Sequence, residues 1–275
     1  MPRAKSPASA KPIETKDWYD TPLYYDIIFD ADTEKEADFL EMMMVRHGRV
    51  KKARSGPLRI LEPACGSGRL VAALARRGHE ASGFDLNENM LGYSRERLNG
   101  TEHVELWQDR LEDFRVPGRK RFDLAHCLVS TFKYVQEEEG AQSHLQRVAD
   151  SLYQGGLYVL GVHLTDNNDA SPQHESWEGK RDGIKVVCNT YTAPPSRRAR
   201  TEDLRTELRI TRERRTWVQE TKWQFRTYNA AQMKKLLATA PQFELVACHD
   251  FMYEVDEERK LDDTYSDIVL VLRKK

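Results

Sequence analysis

The sequence predicts an α/β fold: a mostly parallel, seven-stranded sheet with helices on both faces, carrying an antiparallel β insertion. Three observations favour this fold. Short apolar strands alternate with helices over residues 58–164, which is typical of a parallel sheet covered by helices. The region 165–229 then contains strands without long helices between them. A helix at 230–239 and two further strands complete the pattern.

The chain before the alternating region has three parts. Residues 1–16 begin with a basic stretch that lacks an apolar segment, so we expect a disordered tail rather than a secretory signal. An aromatic-rich stretch follows, and residues 33–48 then predict a helix. We expect Thr33 to cap this helix, with Glu36 three residues later completing a capping box.

The alternating region supplies five strands and three helices. The strands cover 58–62, 79–85, 103–108, 121–129 and 155–164, and the helices cover 68–78, 87–100 and 138–152. Asn87 is positioned to cap the second of these helices and Gly100 to end it. The last two strands, at 243–251 and 266–275, bring the number in the main sheet to seven.

The insertion has the pattern of an antiparallel sheet. Its predicted strands cover 183–195, 202–216 and 217–229. Four residues of the middle strand alternate with charged ones: Leu204, Thr206, Leu208 and Ile210. This alternation indicates one buried and one solvated face. We therefore expect a main domain of 17–164 and 230–275, and an insertion at 165–229 that serves as a lid or a dimer contact.

Composition excludes several classes of protein. The 43 basic and 44 acidic residues give a net charge of −1, so the bulk charge does not favour polyanion binding. Four cysteines are far apart: Cys65, Cys127, Cys188 and Cys248. They predict neither a disulfide framework nor a metal site, and a reduced, cytoplasmic setting is the simpler interpretation. No apolar run is long enough to cross a membrane.

A glycine-rich turn after the first strand of the alternating region is the main functional signal. The strand "LRILE" leads into Glu62-Pro-Ala-Cys-Gly66-Ser-Gly68, at the edge where open parallel sheets bind ligands. Glycines there let the backbone approach a ligand. Asp85 ends the next strand, 17 residues beyond Gly68. An acid at that place can accept both ribose hydroxyls of an adenosine.

The charges around this turn select among adenosine cofactors. A nicotinamide dinucleotide site requires G-x-G-x-x-G, but Val71 stands at the third glycine position. The Glu62 carboxylate would repel a pyrophosphate and would suit a cationic amino group. S-adenosylmethionine (SAM) has an amino group, a sulfonium and no phosphate. The sequence therefore predicts SAM as the cofactor.

Residues 58–164 resemble the class I SAM-dependent methyltransferases, which have a Rossmann-like fold. "LEPACGSG", "GFDLNENML" and "LWQDRLEDF" are similar to the first three motifs of this family, and "FDLAHCLVSTFKYV" and "LYQGGLYVLGVHL" to its fourth and fifth strands. The closing "DIVLVLRKK" resembles its last, antiparallel strand. The resemblance implies a cofactor site made of Tyr25, Glu62, Ala64, Gly66, Gly68, Asp85, Leu86, Met90, Gln108, Asp109, Arg110, Leu111 and Cys127.

Several of these assignments have alternatives. Asp109 would accept from the adenine amino group, or it is a solvated loop acid. Tyr25 would close over the methionine end of the cofactor, or it is a core aromatic. Cys127 is expected to line the pocket through its backbone and not to act as a nucleophile. The spelling "PACGSG" is also similar to that of adenine-methylating DNA enzymes, but "HCLVSTFKYV" lacks their N-P-P-Y turn and so disfavours DNA base methylation.

The catalytic requirement is small, because methyl transfer depends mostly on positioning and desolvation. Candidate bases are His126, His163 and Tyr134, each near a strand end, with Lys133 beside them. A structural or binding role is the alternative for each, and we favour it. No cluster with metal-ligand spacing is present in the sequence, so we expect no metal.

The resemblance implies an enzyme that transfers methyl groups to nitrogen or oxygen of a small molecule, as a monomer or homodimer. Insertions after the fifth strand occur in similar small-molecule N-methyltransferases. One alternative is an RNA or protein methyltransferase that uses eight arginines of the insertion: Arg197, Arg198, Arg200, Arg205, Arg209, Arg212, Arg214 and Arg215. We favour a solvated sheet face for these residues. Another alternative is a SAM-binding regulator without activity.

Overall fold

The computed structural model describes residues 13–50, 56–166, 169 and 171–275. Its strands are β1 (Ile13–Thr15), β2 (Arg59–Pro63), β3 (Glu80–Asp85), β4 (Val104–Gln108), β5 (Phe122–Cys127), β6 (Leu152–His163), β7 (Gln173–Arg181), β8 (Ile184–Thr192), β9 (Thr201–Arg212), β10 (Arg215–Arg226), β11 (Phe243–His249) and β12 (Asp267–Lys274). Its helices are α1 (Pro22–Phe29), α2 (Thr33–His47), α3 (Arg69–Arg76), α4 (Glu88–Arg97), α5 (Glu138–Ser151) and α6 (Ala230–Ala238).

The main sheet has seven strands in the order β11-β12-β6-β5-β2-β3-β4. Only β12 runs antiparallel to its neighbours. One face packs on α5 and α6, where Leu145 and Met233 are fully buried, and the other packs on α2 and α3, where Phe39 and Leu74 are fully buried. The predicted α/β fold class is therefore confirmed. Chain order reverses between β2 and β5, which is where ligands bind in such sheets.

A second sheet has five strands in the order β1-β10-β9-β8-β7. Its four long strands pair antiparallel in chain order. Thr206, Leu208 and Ile210 of β9 are almost wholly buried, whereas Arg209 and Arg212 are exposed, as the alternation predicts. The buried face packs against α1, with Ile27 among its contacts.

The sequence prediction lacks β7. The residues of this strand, "QHESWEGKR", are mostly exposed, so they carry no apolar alternation. Backbone pairing with β8 forms the strand, from Gln173 opposite Thr192 to Arg181 opposite Ile184. Such an edge strand is specified by its partner and not by its own side chains.

The N-terminus differs from the prediction in part. Residues 1–12 of the expected tail lie outside the described residues. Ile13–Thr15, which the prediction places in the tail, form β1 and pair parallel with Val218–Glu220 of β10. None of the helices in the described ranges is both long and apolar enough to cross a membrane.

The capping prediction for α2 is wrong. Asp32 occupies the N-cap position without a side-chain hydrogen bond. Thr33 instead accepts a hydrogen bond from Arg69 Nη1 at 3.0 Å, and Glu36 forms a buried ion pair with the same arginine. Both side chains therefore serve tertiary contacts. The Asn87 cap is confirmed, because its side chain accepts a hydrogen bond from the Met90 backbone N–H at 3.0 Å.

Candidate cofactor and acceptor site

The glycine loop follows β2 and is held on two sides. Gly66 and Gly68 have φ values of +53° and +69°, which side-chain-bearing residues rarely adopt. The Gly66 N–H donates to Asp85 Oδ2 at 2.9 Å, and Ser94 Oγ donates to the Gly66 carbonyl oxygen at 2.7 Å. A Cβ on Gly68 would lie 2.9 Å from Ser94. The positive φ values therefore favour glycine at both positions, and the close contact with Ser94 requires it at Gly68.

Asp85 ends β3 directly beside this loop. Its Oδ1 accepts from the Asn87 N–H at 2.8 Å, in addition to the Gly66 contact of Oδ2. Burial raises the pKa of Asp85, while these N–H groups oppose the rise. A carboxylate has about four lone-pair sites, so each oxygen can still accept from a ligand hydroxyl.

A small cavity of about 40 Å³ adjoins the loop and is lined by Tyr25, Glu62, Ala64, Gly66, Ser67 and Arg69, among others. Glu62 Oε2 is buried and has no hydrogen-bond partner among the described residues. Burial raises the pKa of Glu62 to about 8. An unsatisfied buried carboxyl oxygen is uncommon and calls for a partner. A cationic amino group would supply one.

Arg69 is a site residue that the sequence reasoning missed. It begins α3, is almost wholly buried, and lies in the same cavity lining as Glu62. Its contacts with Glu36 and Thr33 both use Nη1, whereas a guanidinium has five N–H donors. Its position in the sequence was the feature that could have indicated this. A cation in the first turn of a helix interacts unfavourably with the helix dipole, so an arginine there suggests a compensating contact.

The expected adenine side lies at the ends of β3 and β4. Gln108 Nε2 donates to the Leu86 carbonyl oxygen at 2.9 Å, and Leu86 is exposed. Asp109 accepts from the N–H groups of Arg110 and Arg115, each at 2.9 Å. The structure thus places these predicted residues at one edge, together with Asp85.

Three other predicted cofactor residues have less access to a ligand. The Met90 side chain is fully buried beneath the Asn87 cap, and Leu111 packs against the main core. Cys127 is 1% exposed and lines neither cavity described here. Burial raises the pKa of its thiol to about 12, in line with a structural role.

A much larger cavity, about 1200 Å³, lies between the two sheets. It shares four lining residues with the small cavity: Tyr25, Arg69, Val129 and Thr131. Its walls come from the aromatic N-terminal segment, the loop after β5, the end of β6 and the antiparallel sheet. The two cavities are therefore neighbours, as a cofactor pocket and an acceptor pocket must be.

The backbone is strained at the boundary between the cavities. Val129 and Ser130 have φ values of +55° and +60°, and a β-branched residue in this region is a genuine outlier. Ser130 Oγ accepts from the His163 N–H at 2.8 Å and so fixes the turn to the end of β6. Strain of this kind clusters at functional sites.

The candidate bases fare differently. His126 lies within β5, is 0% exposed and lines neither cavity, which supports the favoured structural role over that of a base. Burial, assisted by the charge of Arg69, lowers the pKa of His126 to about 3. His163 lines the large cavity with a part-exposed side chain, and its Nδ1 lies 2.7 Å from Asp267 Oδ1.

Tyr134 and Lys133 line the large cavity but are already engaged. The Tyr19 hydroxyl donates to the Tyr134 oxygen at 2.8 Å, and burial raises the pKa of Tyr134. Lys133 pairs with Glu202 at 2.6 Å. No group of three or more His, Cys, Asp or Glu side chains placed to hold a metal ion occurs in the described part of the chain.

The arginines of the insertion mostly belong to a solvated face. Arg200 pairs with Glu138 at 2.8 Å, and Arg205 lies over the Tyr191 ring at 4.4 Å. Six others are exposed: Arg197, Arg198, Arg209, Arg212, Arg214 and Arg215. Arg197 lines the large cavity.

Comparison with known proteins finds similarity to methyltransferases. Residues 60–156 match a family model described as a methyltransferase domain. A putative methyltransferase of Geobacillus sp. (strain WCH70) is 25% identical over 175 residues, which are 63% of this chain and 66% of that protein. A dTDP-3-amino-3,4,6-trideoxy-alpha-D-glucopyranose N,N-dimethyltransferase of Streptomyces venezuelae is 30% identical over 101 residues, 37% of this chain and 40% of that one. The chain thus spans between two fifths and two thirds of these relatives.

The fold extends over nearly the whole chain. The crystal structure of a SAM-dependent methyltransferase from Clostridium acetobutylicum ATCC 824 has a TM-score of 0.73 at 16% identity, covering 94% of this chain and 98% of that one. Residues 60–156 therefore match a methyltransferase domain model, and the chain shares the fold of that SAM-dependent methyltransferase structure, which agrees with the resemblance carried by the motifs.

Proposed function

We propose that this protein transfers the methyl group of SAM to the nitrogen of a small, cationic amine held in the 1200 Å³ cavity. SAM supplies an activated methyl group when it is bound. In this proposal Asp85 accepts the ribose hydroxyls, Glu62 pairs with the α-ammonium group and Arg69 with the α-carboxylate. The unpartnered Glu62 oxygen beside a guanidinium fits such a zwitterion.

The charge of the large cavity is the observation that carries the choice of acceptor. Eight carboxylates stand among its described lining residues: Asp32, Glu36, Asp166, Asp169, Glu175, Glu202, Asp263 and Asp267. Among the residues that the structure describes, three lysine or arginine side chains line it: Arg69, Lys133 and Arg197. Arg69 and Lys133 are paired with Glu36 and Glu202. A cleft lined by an excess of one charge concentrates ligands of the opposite charge.

Aromatic rings add a second feature that suits a cationic amine. Trp18, Tyr19, Tyr25, Trp223 and Phe225 line the cavity, and Trp18 stacks on Trp223 with ring centroids 4.4 Å apart. Ring faces attract organic cations by about 0.5–2 kcal/mol each. They also exclude water from the reacting groups, which methyl transfer requires.

The amine must lose a proton before its nitrogen can attack, and in this proposal His163 takes it. The ionised Asp267 carboxylate can only accept, so Nδ1 of His163 carries the hydrogen that joins them. This leaves Nε2 with a lone pair that can accept the proton of the amine. Asp267 acts through His163 by fixing its tautomer.

A nucleotide-linked acceptor is disfavoured by the same charges. The relative from Streptomyces venezuelae is named for a dTDP-linked amino sugar. A diphosphate needs several cationic partners, whereas two of the three cations in this cavity are already ion-paired. We therefore propose an acceptor without a diphosphate group.

Release of S-adenosylhomocysteine (SAH) from SAM tests the proposal. A panel of apolar and aromatic primary amines is compared with the alcohol of the same carbon skeleton, and with a dTDP-linked amino sugar. We expect SAH release with amines and little with the alcohols or the nucleotide sugar. Preference for the nucleotide sugar, or for RNA, would overturn the assignment of the acceptor. SAM binding without SAH release for any acceptor would favour a regulator.

His163 is tested with the best amine of that panel. His163→Ala should lower kcat by about 10²–10⁴-fold, the usual contribution of a general base, with partial recovery on addition of imidazole. Asp267→Asn should lower kcat less and leave the affinity for SAM unchanged. An unchanged kcat in folded His163→Ala would remove the base role while leaving the amine assignment standing.

A further inference from the structure

A buried carboxylate, Asp26, joins the cofactor loop to the antiparallel sheet. It lies on α1 and is 0% exposed. Ser67, the residue between the two loop glycines, donates from Oγ to Asp26 Oδ1 at 2.6 Å. Arg181, at the end of β7, donates from Nη1 to Asp26 Oδ2 at 2.6 Å. One side chain thus contacts both elements.

Helix α4 completes the surroundings of Asp26. Arg97 forms an ion pair with Oδ2, and the Tyr93 hydroxyl donates to the same oxygen at 3.2 Å. Arg181 Nη2 in turn donates to the Tyr93 oxygen at 3.0 Å. The carboxylate therefore has partners on the loop, on α4 and on β7, and every one of them is a donor to it.

The backbone packing at the same place is equally close. A Cβ on Gly179 of β7 would lie 2.2 Å from the carbonyl oxygen of Ile27 on α1. The edge strand of the acceptor cavity is therefore in direct contact with the helix that carries Asp26. Buried charges must be paired with good geometry to be tolerated, and the Asp26 carboxylate has such partners in Arg181 and Arg97.

We propose that Asp26 is a positioning residue that couples SAM binding at the glycine loop to the placement of the antiparallel sheet over the acceptor cavity. The coupling deepens the proposed function and depends on it. Arg181 lines neither the small nor the large cavity, so it has no direct route to the cofactor. It acts through Asp26 and Ser67.

Arg181→Gln is the decisive variant, and SAM affinity by calorimetry is its readout. We expect the Kd for SAM to rise about fivefold or more, the usual size of coupling between two sites. Arg181→Lys retains the charge and should recover part of the affinity. The matched control is Lys180→Gln on the same strand, because Lys180 is exposed and contacts Glu178 instead of Asp26; its Kd should equal that of the wild type.

Hydrogen exchange, measured on the wild type and on Arg181→Gln, gives a second test. SAM should slow exchange in residues 173–192, which do not include the glycine loop, and Arg181→Gln should abolish that slowing. A wild-type Kd in Arg181→Gln, or no change in exchange at 173–192 on SAM binding, would overturn the coupling. Failure of the wild type to bind SAM would instead overturn the proposed function.

Discussion

Gly68→Ala is the sharpest test of the glycine loop, because the substitution introduces both backbone strain and a steric clash. Alanine at φ +69° would lie in the left-handed region. That conformation costs a residue with a side chain about 1–2 kcal/mol. Its Cβ would also lie 2.9 Å from Ser94. Moving Ser94 breaks its hydrogen bond to the Gly66 carbonyl oxygen. Loss of that bond costs about 1 kcal/mol of stability.

The expected loss of unfolding free energy is therefore about 2–3 kcal/mol, the sum of the left-handed strain and the lost hydrogen bond. Urea unfolding followed by circular dichroism measures it. The matched control is Gly78→Ala, because Gly78 has φ +89° but no atom within 4 Å of an added Cβ. That variant should lose only about 1–2 kcal/mol.

SAM affinity provides the functional half of the same experiment. Gly68→Ala displaces the loop that we propose accepts the cofactor, whereas Gly78 lies at the far end of α3 from that loop. We expect weaker SAM binding only in Gly68→Ala. If both variants lost the same stability and bound SAM equally well, the packing of Gly68 against Ser94 would not be what the loop depends on.

Three further predictions concern charged residues of the site. Asp85→Ala should weaken SAM binding by about 1–3 kcal/mol, the scale of charge-assisted hydrogen bonds. The control Asp113→Ala changes an exposed loop acid and should leave SAM binding unchanged. Calorimetry measures both affinities. Burial raises the pKa of Glu62 to about 8 from 4.5, so without cofactor the folded state binds the proton more tightly and stability falls as pH rises between these values. The stability of Glu62→Gln relative to the wild type should therefore increase as the pH rises through that range, and it should not increase below pH ~4.5. Urea unfolding midpoints measured across pH test this. Arg69→Leu leaves Glu36 buried and unpaired and should lower stability by about 3–5 kcal/mol, whereas the double variant with Glu36→Leu should recover much of that loss; equal stabilities of single and double variants would contradict this.

The sequence predicted those features that local patterns determine. Strand–helix alternation, the glycine loop and the Asn87 cap depend on residues close together in the chain. Asp85 was predictable because its place follows from the order of two parallel strands. The structure has each of these features within a few residues of its predicted position.

The features that the sequence did not predict depend on distant partners. Thr33 and Glu36 have the spacing of a capping box, yet Arg69 recruits both. Strand β7 exists because β8 pairs with it. His126 is buried because β5 is covered on both faces, which supports the structural role favoured for it. The contacts of Asp26 join α1, α4 and β7, which no local pattern brings together.

Titration of the whole chain with SAM, alongside NAD as a comparison, tests the central claim most directly. The Glu62 carboxyl and the absence of a third loop glycine predict one SAM bound per chain and no binding of the pyrophosphate cofactor. Binding of NAD in preference to SAM, or no binding of SAM by the folded protein, would contradict the claim.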